Sequence, residues 1–309
     1  MKPRNSADYR TILWVLLTPA VVAVQYARPE LIPYLCWVSC YFALACGVIA
    51  HNHNHCGTFA SRGMNQAFGA WISIFYGYPT FAWIPTHNNN HHKFTNAPGD
   101  ATITWRHTNR HNFFVALTYP FVSSYYQSAL INDFVGNAKE KGGKLYSQIR
   151  SQYLAWGGGH VLAFALAVWL HGAAEGLYVW GMSMGLPAFF ALWTIMLFNY
   201  EQHVHADPFS ESDHSRSFTS KLLNFLLFNN GYHAAHHERA GAHWTELPAI
   251  HAELAPKIAP VLNQRSVWWY WFRQYALAPL VPSLGTVQIG AGPMHPPVEG
   301  SGAPVEQGA

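Results

Sequence analysis

The chain has 309 residues, of which 50% are hydrophobic and only 11% are charged, against about 25% in an average soluble protein. So few charges argue against a disordered chain or a coiled coil, and a net charge of +3 argues against an electrostatic nucleic-acid binder. Histidine, with 19 residues, outnumbers lysine and arginine together, with 18. Core packing does not require so many histidines.

The four cysteines, Cys36, Cys40, Cys46 and Cys56, cluster near the start of the chain and form no CxxC pair. Three of them lie in an apolar stretch. We therefore interpret them as small buried hydrophobic residues in a reducing compartment, without a disulfide framework.

Four apolar stretches are long enough to cross the hydrocarbon core of a membrane. They are residues 11–27, 31–50, 154–170 and 176–198. Short links at 28–30 and 171–175 predict two antiparallel helical hairpins. The expected fold is an all-α membrane protein with four transmembrane helices.

Charge predicts the orientation of these helices. With this topology 17 of the 18 Lys and Arg residues fall on one side, and only Arg28 falls on the other. The positive-inside rule then places both termini and a helical cap, residues 51–153 and 199–280, in the cytoplasm. We expect the membrane to be a bacterial inner membrane. A signal peptide at 1–27 is disfavoured, because its apolar run contains Pro19 and Gln25.

Two further apolar segments, 66–85 and 113–131, are predicted to lie at the membrane interface. One additional crossing would put the histidine clusters on opposite faces of the membrane. Residues 1–280 thus form one predicted domain. The Gly- and Pro-rich residues 281–309 are predicted to be a flexible tail.

Four polar clusters are placed just outside the predicted spans, on the same side. Their sequences are HNHNH at 51–55, HNNNHH at 87–92, NYEQHVH at 199–205 and HAAHH at 233–237. Residues three or four apart share a helix face, so each cluster is expected to aim two or three imidazoles at one point. His53 is off the shared face of the first cluster and is interpreted as a non-ligand.

Imidazole suits several transition metals, and these clusters hold far more imidazoles than one tetrahedral zinc ion can bind. They suit two metal ions. A redox-active pair such as iron is one choice, but spacing alone does not identify the metal. A metal transporter would instead place ligands inside the spans. Here the spans hold only His160.

The clusters resemble the HxxxH, HxxxHH and HxxHH boxes of the integral-membrane fatty acid desaturase superfamily, over about residues 10–260. The resemblance implies two Fe ions, with Asn199 acting through a metal-bound water and His205 as an alternative to His203. The implied iron ligands are His51, His55, His87, His91, His92, His203, His233, His236 and His237. Nearby polar residues are candidates to orient them, namely Asn88, Asn89, Asn90, Asn96, Asp100, Glu201 and Asp207.

The resemblance also implies the activity. With dioxygen as co-substrate, two hydrogens leave a long acyl chain and a C=C bond forms. The chain would be carried on a phospholipid, on coenzyme A or on acyl carrier protein. Electrons would come from a separate ferredoxin or a cytochrome with its reductase, and membrane lipid is a further partner. A hydroxylase or acetylenase on the same scaffold is one alternative, and a non-enzymatic metal-binding protein is another.

Overall fold

Helices make up most of the computed structural model, which describes residues 2–290 and Gly292. Four of the α-helices before residue 142 are longer than a single turn: α1 (Asp8–Ala27), α2 (Ile32–His55), α3 (Arg62–Tyr76) and α5 (Phe113–Lys141). The one-turn helix α4 (His92–Phe94) precedes α5. Then follow α6 (Gly143–His171), α7 (Ala173–Trp180) and α8 (Leu186–His203). Short helices end the described chain: α9 (Lys221–Leu226), α10 (His233–Glu238), α11 (Leu247–Leu254) and α12 (Val267–Trp271).

Among the residues that the structure describes, four stretches of helix are long and apolar enough to cross a membrane, as expected. They are Asp8–Ala27, Pro29–His55, Gly143–His171 and Ala173–His203. The third begins 11 residues earlier than its predicted apolar core at 154. The fourth is one continuous helix, formed by α7, the π-helical stretch Gly181–Gly185 and α8. The predicted number and order of spans are therefore confirmed by length and composition.

The two apolar segments that were kept out of the membrane are not among these candidates. The helix α3 has 15 residues, fewer than a span requires. The helix α5 has 29 residues, but it carries polar and charged side chains along its length. Their predicted location at the interface stays a prediction.

The chain forms two compact units. The first comprises residues 1–89 and 125–196, and it contains three of the apolar helices and most of the fourth. Its core includes Tyr26, Ile32, Cys36, Cys40, Ala167 and Val179. All four cysteines are free thiols, which agrees with the absence of a disulfide framework.

Helix α6 exposes large apolar side chains. Leu162 and Trp169 are 72% and 79% exposed. An apolar surface of this kind is stable against lipid rather than against water. The face of α6 is therefore the lipid-facing side of a membrane helix.

Glycine makes the tight connection between α6 and α7. Gly172 has φ +80°, a left-handed conformation that other residues rarely adopt. A Cβ atom at Gly176 would lie 2.6 Å from the backbone nitrogen of Val168. Absence of a side chain therefore lets the two helices approach as an antiparallel hairpin.

The second unit comprises residues 90–124 and 197–309, of which the structure describes the part up to residue 290 and Gly292. Short helices pack there beside a two-residue parallel pair, β1 (Ser217–Phe218) and β2 (Asn263–Gln264). Ala206, Ala234, Ile258 and Leu262 form part of its core. The 1% exposed Arg216 donates hydrogen bonds to the carbonyls of Glu201 and Val204. This buried arginine, which immediately precedes β1, satisfies carbonyl groups at and just after the end of α8.

The first residues of the predicted tail are hydrogen-bonded within the second unit. Thr286 contacts the rings of His111 and His205, at 2.8 and 2.9 Å. The backbone N–H of Ile289 donates to the carbonyl of His205. These polar groups have hydrogen-bond partners in the structure, and the flexibility predicted for residues 281–309 stays a prediction. Residues 293–309 lie outside the described residues.

Candidate metal centre

Three histidines meet in the first unit. His51 and His55 lie on the last turns of α2, and His87 lies on a π-helical stretch, Ile84–His91. The Nε2 atoms of His51 and His87 are 2.9 Å apart, and the ring of His55 is 5.2 Å from that of His87. One ligand nitrogen of each lies within 4.8 Å of the others. We call these residues the three-histidine group.

Four histidines meet in the second unit, and we call them the four-histidine group. His91 ends the π-helical stretch, His203 ends α8, and His233 and His237 lie on α10. His233 Nε2 lies 2.8 Å from Nε2 of His203 and 3.1 Å from Nε2 of His237. Four ligand nitrogens thus lie within 4.8 Å of one another, in a largely buried place.

The remaining two predicted ligands form a pair, also in the second unit. His92 Nε2 lies 2.9 Å from Nε2 of His236. The ring of His92 is also 4.6 Å from that of His237, a member of the four-histidine group. All nine predicted ligands therefore have another predicted ligand as a direct neighbour.

The spacing of these nitrogens fits a metal ion. Imidazole nitrogens bind at about 2.1 Å, so two ligands at a right angle around one ion lie about 3.0 Å apart. The pairs above, at 2.8–3.1 Å, have that separation. Burial and the neighbouring histidines also lower the pKa of His237 well below its ordinary value. His237 is therefore neutral, the form that binds a metal.

His91 is held from behind by a buried carboxylate. Its Nδ1 lies 2.7 Å from Oδ2 of Asp100 and 2.9 Å from Oγ1 of Thr102. Because Asp100 accepts the Nδ1 proton, Nε2 carries the lone pair that binds a metal. This arrangement fixes both the tautomer and the orientation of the ring.

The Asp100 carboxylate is stabilised in its charged form. Burial would raise its pKa, but attraction to His91 and hydrogen bonds from His91 and from the backbone of Thr102 and Asn96 hold the pKa below its ordinary value. Asp100 was one of several polar candidates in the sequence. The structure distinguishes it by direct contact with a predicted ligand.

His203 is held in a similar way by the backbone. Its Nδ1 donates to the carbonyl of His214 at 3.1 Å, so Nε2 is again the ligand nitrogen. Asn96 donates from Nδ2 to the carbonyl of His203 at 3.2 Å. These contacts fix the end of α8 within the second unit.

Asn199 lies one helical turn before His203 on α8. Its Nδ2 donates to the hydroxyl of Tyr119 at 2.9 Å. The ring of His205, by contrast, contacts the carbonyl of Asn109 and residue Thr286 through its two nitrogens. His203, rather than His205, is therefore the member of the four-histidine group.

One expectation about the clusters is wrong for the second box. The spacing predicts that each box aims two or three imidazoles at one point, but His87 and His91 lie in different groups. In the fourth box His233 and His237 do share a group, while His236 pairs with His92. Residues four apart on a helix face the same way, yet they are about 6 Å apart along its axis. Each can thus serve a different ion.

His53 is a member of neither group, and its interpretation as a non-ligand stays a prediction. Its nitrogens contact the hydroxyl of Thr58 and the carbonyl of Asn65. Three residues of the site were missed in the sequence: Thr102, Tyr119 and His214. They lie outside the boxes, and no spacing signal relates them to the histidines they contact.

Comparison with known proteins agrees with this geometry. A family model described as "Fatty acid desaturase" matches residues 29–282, which is most of the chain. A search of curated proteins and a search of solved structures gave no match.

Proposed function

This chain belongs to the fatty acid desaturase family, and from that premise we propose that it is a membrane-bound, dioxygen-dependent diiron desaturase of long acyl chains. Its family makes it an oxidoreductase acting on fatty acids, and its four apolar helices make it an integral membrane protein. The proposal adds the particular reaction, the metal and the residues that carry it.

The four-histidine group is the observation that carries the proposal. Four buried or half-buried imidazoles with ligand nitrogens within 4.8 Å of one another are costly to bring together without a cation. Asp100 and the carbonyl of His214 fix two of these rings in the metal-binding tautomer.

We assign the nine histidines of the three groups above as ligands of two iron ions. When bound, the iron pair supplies the oxidising power, taken from dioxygen, that breaks an unactivated C–H bond. The protein contributes neutral imidazoles, a buried carboxylate and the amide of Asn199, which is assigned to hold a metal-bound water. Removal of a second hydrogen then leaves the C=C bond in the acyl chain.

The proposed substrate is a long acyl chain carried by a phospholipid, coenzyme A or carrier protein. Helices in contact with lipid favour an apolar substrate that reaches the site from the bilayer. Two electrons per turnover are assigned to a separate donor, a ferredoxin or a cytochrome with its reductase. Charge asymmetry supports a cytoplasmic active site. The proposed membrane is a bacterial inner membrane.

A hydroxylase on the same ligand set is the second candidate. Both reactions begin with removal of one hydrogen. They differ in whether a second hydrogen is removed or oxygen is returned to the carbon. The short HAAHH form of the last box favours the desaturase.

Mass spectrometry of total acyl chains from expressing cells tests the proposal. The comparison is between the wild type, His91→Ala and the control His107→Ala, which changes an exposed histidine. We expect a product lighter by two hydrogens in the wild type and the control, and its loss in His91→Ala. A product heavier by one oxygen would support the hydroxylase, and an unchanged product in His91→Ala would overturn the assignment of the site.

A further inference from the structure

A buried tyrosine connects Asn199 to the loop that holds His91. The hydroxyl of Tyr119 lies 2.6 Å from the carbonyl oxygen of Thr102 and 2.9 Å from Nδ2 of Asn199. Tyr119 is 5% exposed and lies on α5. These four residues all belong to the second unit.

The direction of each hydrogen bond follows from chemistry. A backbone carbonyl only accepts, so the Tyr119 hydroxyl must donate its single proton to Thr102. The Tyr119 oxygen can then only accept a hydrogen bond from Asn199, so the N–H₂ group of the amide must face the tyrosine. The orientation of the Asn199 amide is thereby fixed, although an isolated amide can be turned either way.

A fixed amide has a defined acceptor. With Nδ2 bound to Tyr119, the carbonyl oxygen Oδ1 of Asn199 is the atom that accepts a hydrogen bond from another group. A metal-bound water has protons to donate. We propose that Tyr119 is a positioning residue, which orients Asn199 so that Oδ1 accepts a hydrogen bond from this water. The inference rests on the role proposed above for Asn199.

Thr102 extends the same arrangement to His91. Its carbonyl accepts from Tyr119, while its hydroxyl donates to Asp100 at 2.7 Å and contacts Nδ1 of His91. Thr102 thus contacts both Asp100, which holds the proposed ligand His91, and Tyr119, which holds Asn199. Burial also raises the pKa of Tyr119, which keeps its donor proton in place.

Tyr119 also lines a cavity of about 180 Å³ together with Ile103, Val115 and Val122. Replacement of Tyr119 by Phe retains the ring and removes only the hydroxyl. The positioning role can therefore be tested while the ring is kept in place.

The first test is a double-mutant cycle with Tyr119→Phe, Asn199→Ala and the double variant, measured by the rate of product formation. We expect Tyr119→Phe to lower kcat by about tenfold to a hundredfold with KM unchanged, the range found for groups that orient metal-site residues. The double variant should be no slower than Asn199→Ala alone, because Tyr119 acts through Asn199. The control Tyr125→Phe, at a 74% exposed position on the same helix, should leave kcat unchanged. Additive losses would overturn the inference.

The second test does not depend on activity. Full-length protein loaded with zinc, a diamagnetic metal that suits imidazole ligands, is labelled with ¹⁵N at asparagine. The Asn199 side-chain signal is the one missing in Asn199→Ala. We expect slow hydrogen exchange of its N–H₂ group in the wild type, and a changed chemical shift with faster exchange in Tyr119→Phe.

Fast exchange in the wild type itself would refute the inference, even if Tyr119→Phe failed to fold. Different results would refute the positioning role of Tyr119 and the desaturase activity. Normal kcat in Tyr119→Phe beside a slow Asn199→Ala would remove the role of Tyr119 and leave the desaturase. Absence of any oxidised product in the wild type would remove the desaturase, while the exchange measurement would still decide whether Tyr119 holds the amide.

Discussion

Oδ2 of Asp100 lies 2.7 Å from Nδ1 of His91, and both side chains are almost fully buried. The pair couples a carboxylate, which the structure keeps charged, to a histidine of the four-histidine group. In a metal site, such a partner sets the tautomer of the ligand and increases its basicity.

We expect Asp100→Asn to weaken iron binding by about tenfold to a hundredfold, because Asn lacks the negative charge that favours the Nδ1–H tautomer of His91. Iron content per protein after dialysis against graded chelator measures the change. The exposed Asp133→Asn, which removes the same charge elsewhere, is the control. Equal iron retention in Asp100→Asn and the wild type would contradict this role.

His203 and His205 provide a matched pair on the same stretch of chain. His203→Ala is expected to lower the iron content and abolish product, because its Nε2 lies 2.8 Å from that of His233. His205→Ala should keep its iron, since both ring nitrogens contact Asn109 and Thr286 instead. Metal analysis of both purified variants checks this. Iron loss confined to His205→Ala would reverse the assignment.

Thr286→Val is expected to lower the free energy of unfolding by about 1–3 kcal/mol. The change removes the hydroxyl that contacts buried His111 and leaves its Nδ1 without that partner. Thermal unfolding in detergent measures the effect. Removal of residues 293–309, whose composition predicts a flexible tail, should leave the unfolding temperature unchanged. A larger effect from that truncation than from Thr286→Val would show that the predicted tail contributes to stability.

Removal of metal is expected to lower the unfolding temperature of the wild type, because an ion that binds only the folded state stabilises it. In His237→Ala, which lacks one member of the four-histidine group, chelator should cause a smaller decrease. Scanning calorimetry with and without chelator measures both. The prediction fails if the two proteins respond equally.

A fluorescent protein fused after Ala309 should be fluorescent in a bacterial host, since the charge asymmetry predicts a cytoplasmic C-terminus. A phosphatase that is active only outside the cytoplasm, fused at the same position, should be inactive. The reverse pattern would invert the topology and place the histidine clusters outside the cytoplasm.

The sequence by itself determined the parts that depend on local pattern. The number and order of the four spans follow from the length of the apolar runs, and their hairpins follow from the short links between them. The histidine boxes identified the family because their residue types and spacings are local. The free cysteines followed from composition and context in the same way.

Only the tertiary structure decided how the histidines of the boxes are distributed among the metal-binding groups. His87 joins His51 and His55, whereas His91, four residues later, lies in the second unit beside His203 and His233. Spacing along a helix gives direction, but it does not give the position of partners from distant segments. The same reason applies to Asp100, Thr102 and Tyr119: their roles arise from contacts made in the folded chain, by groups that no motif in the sequence connects.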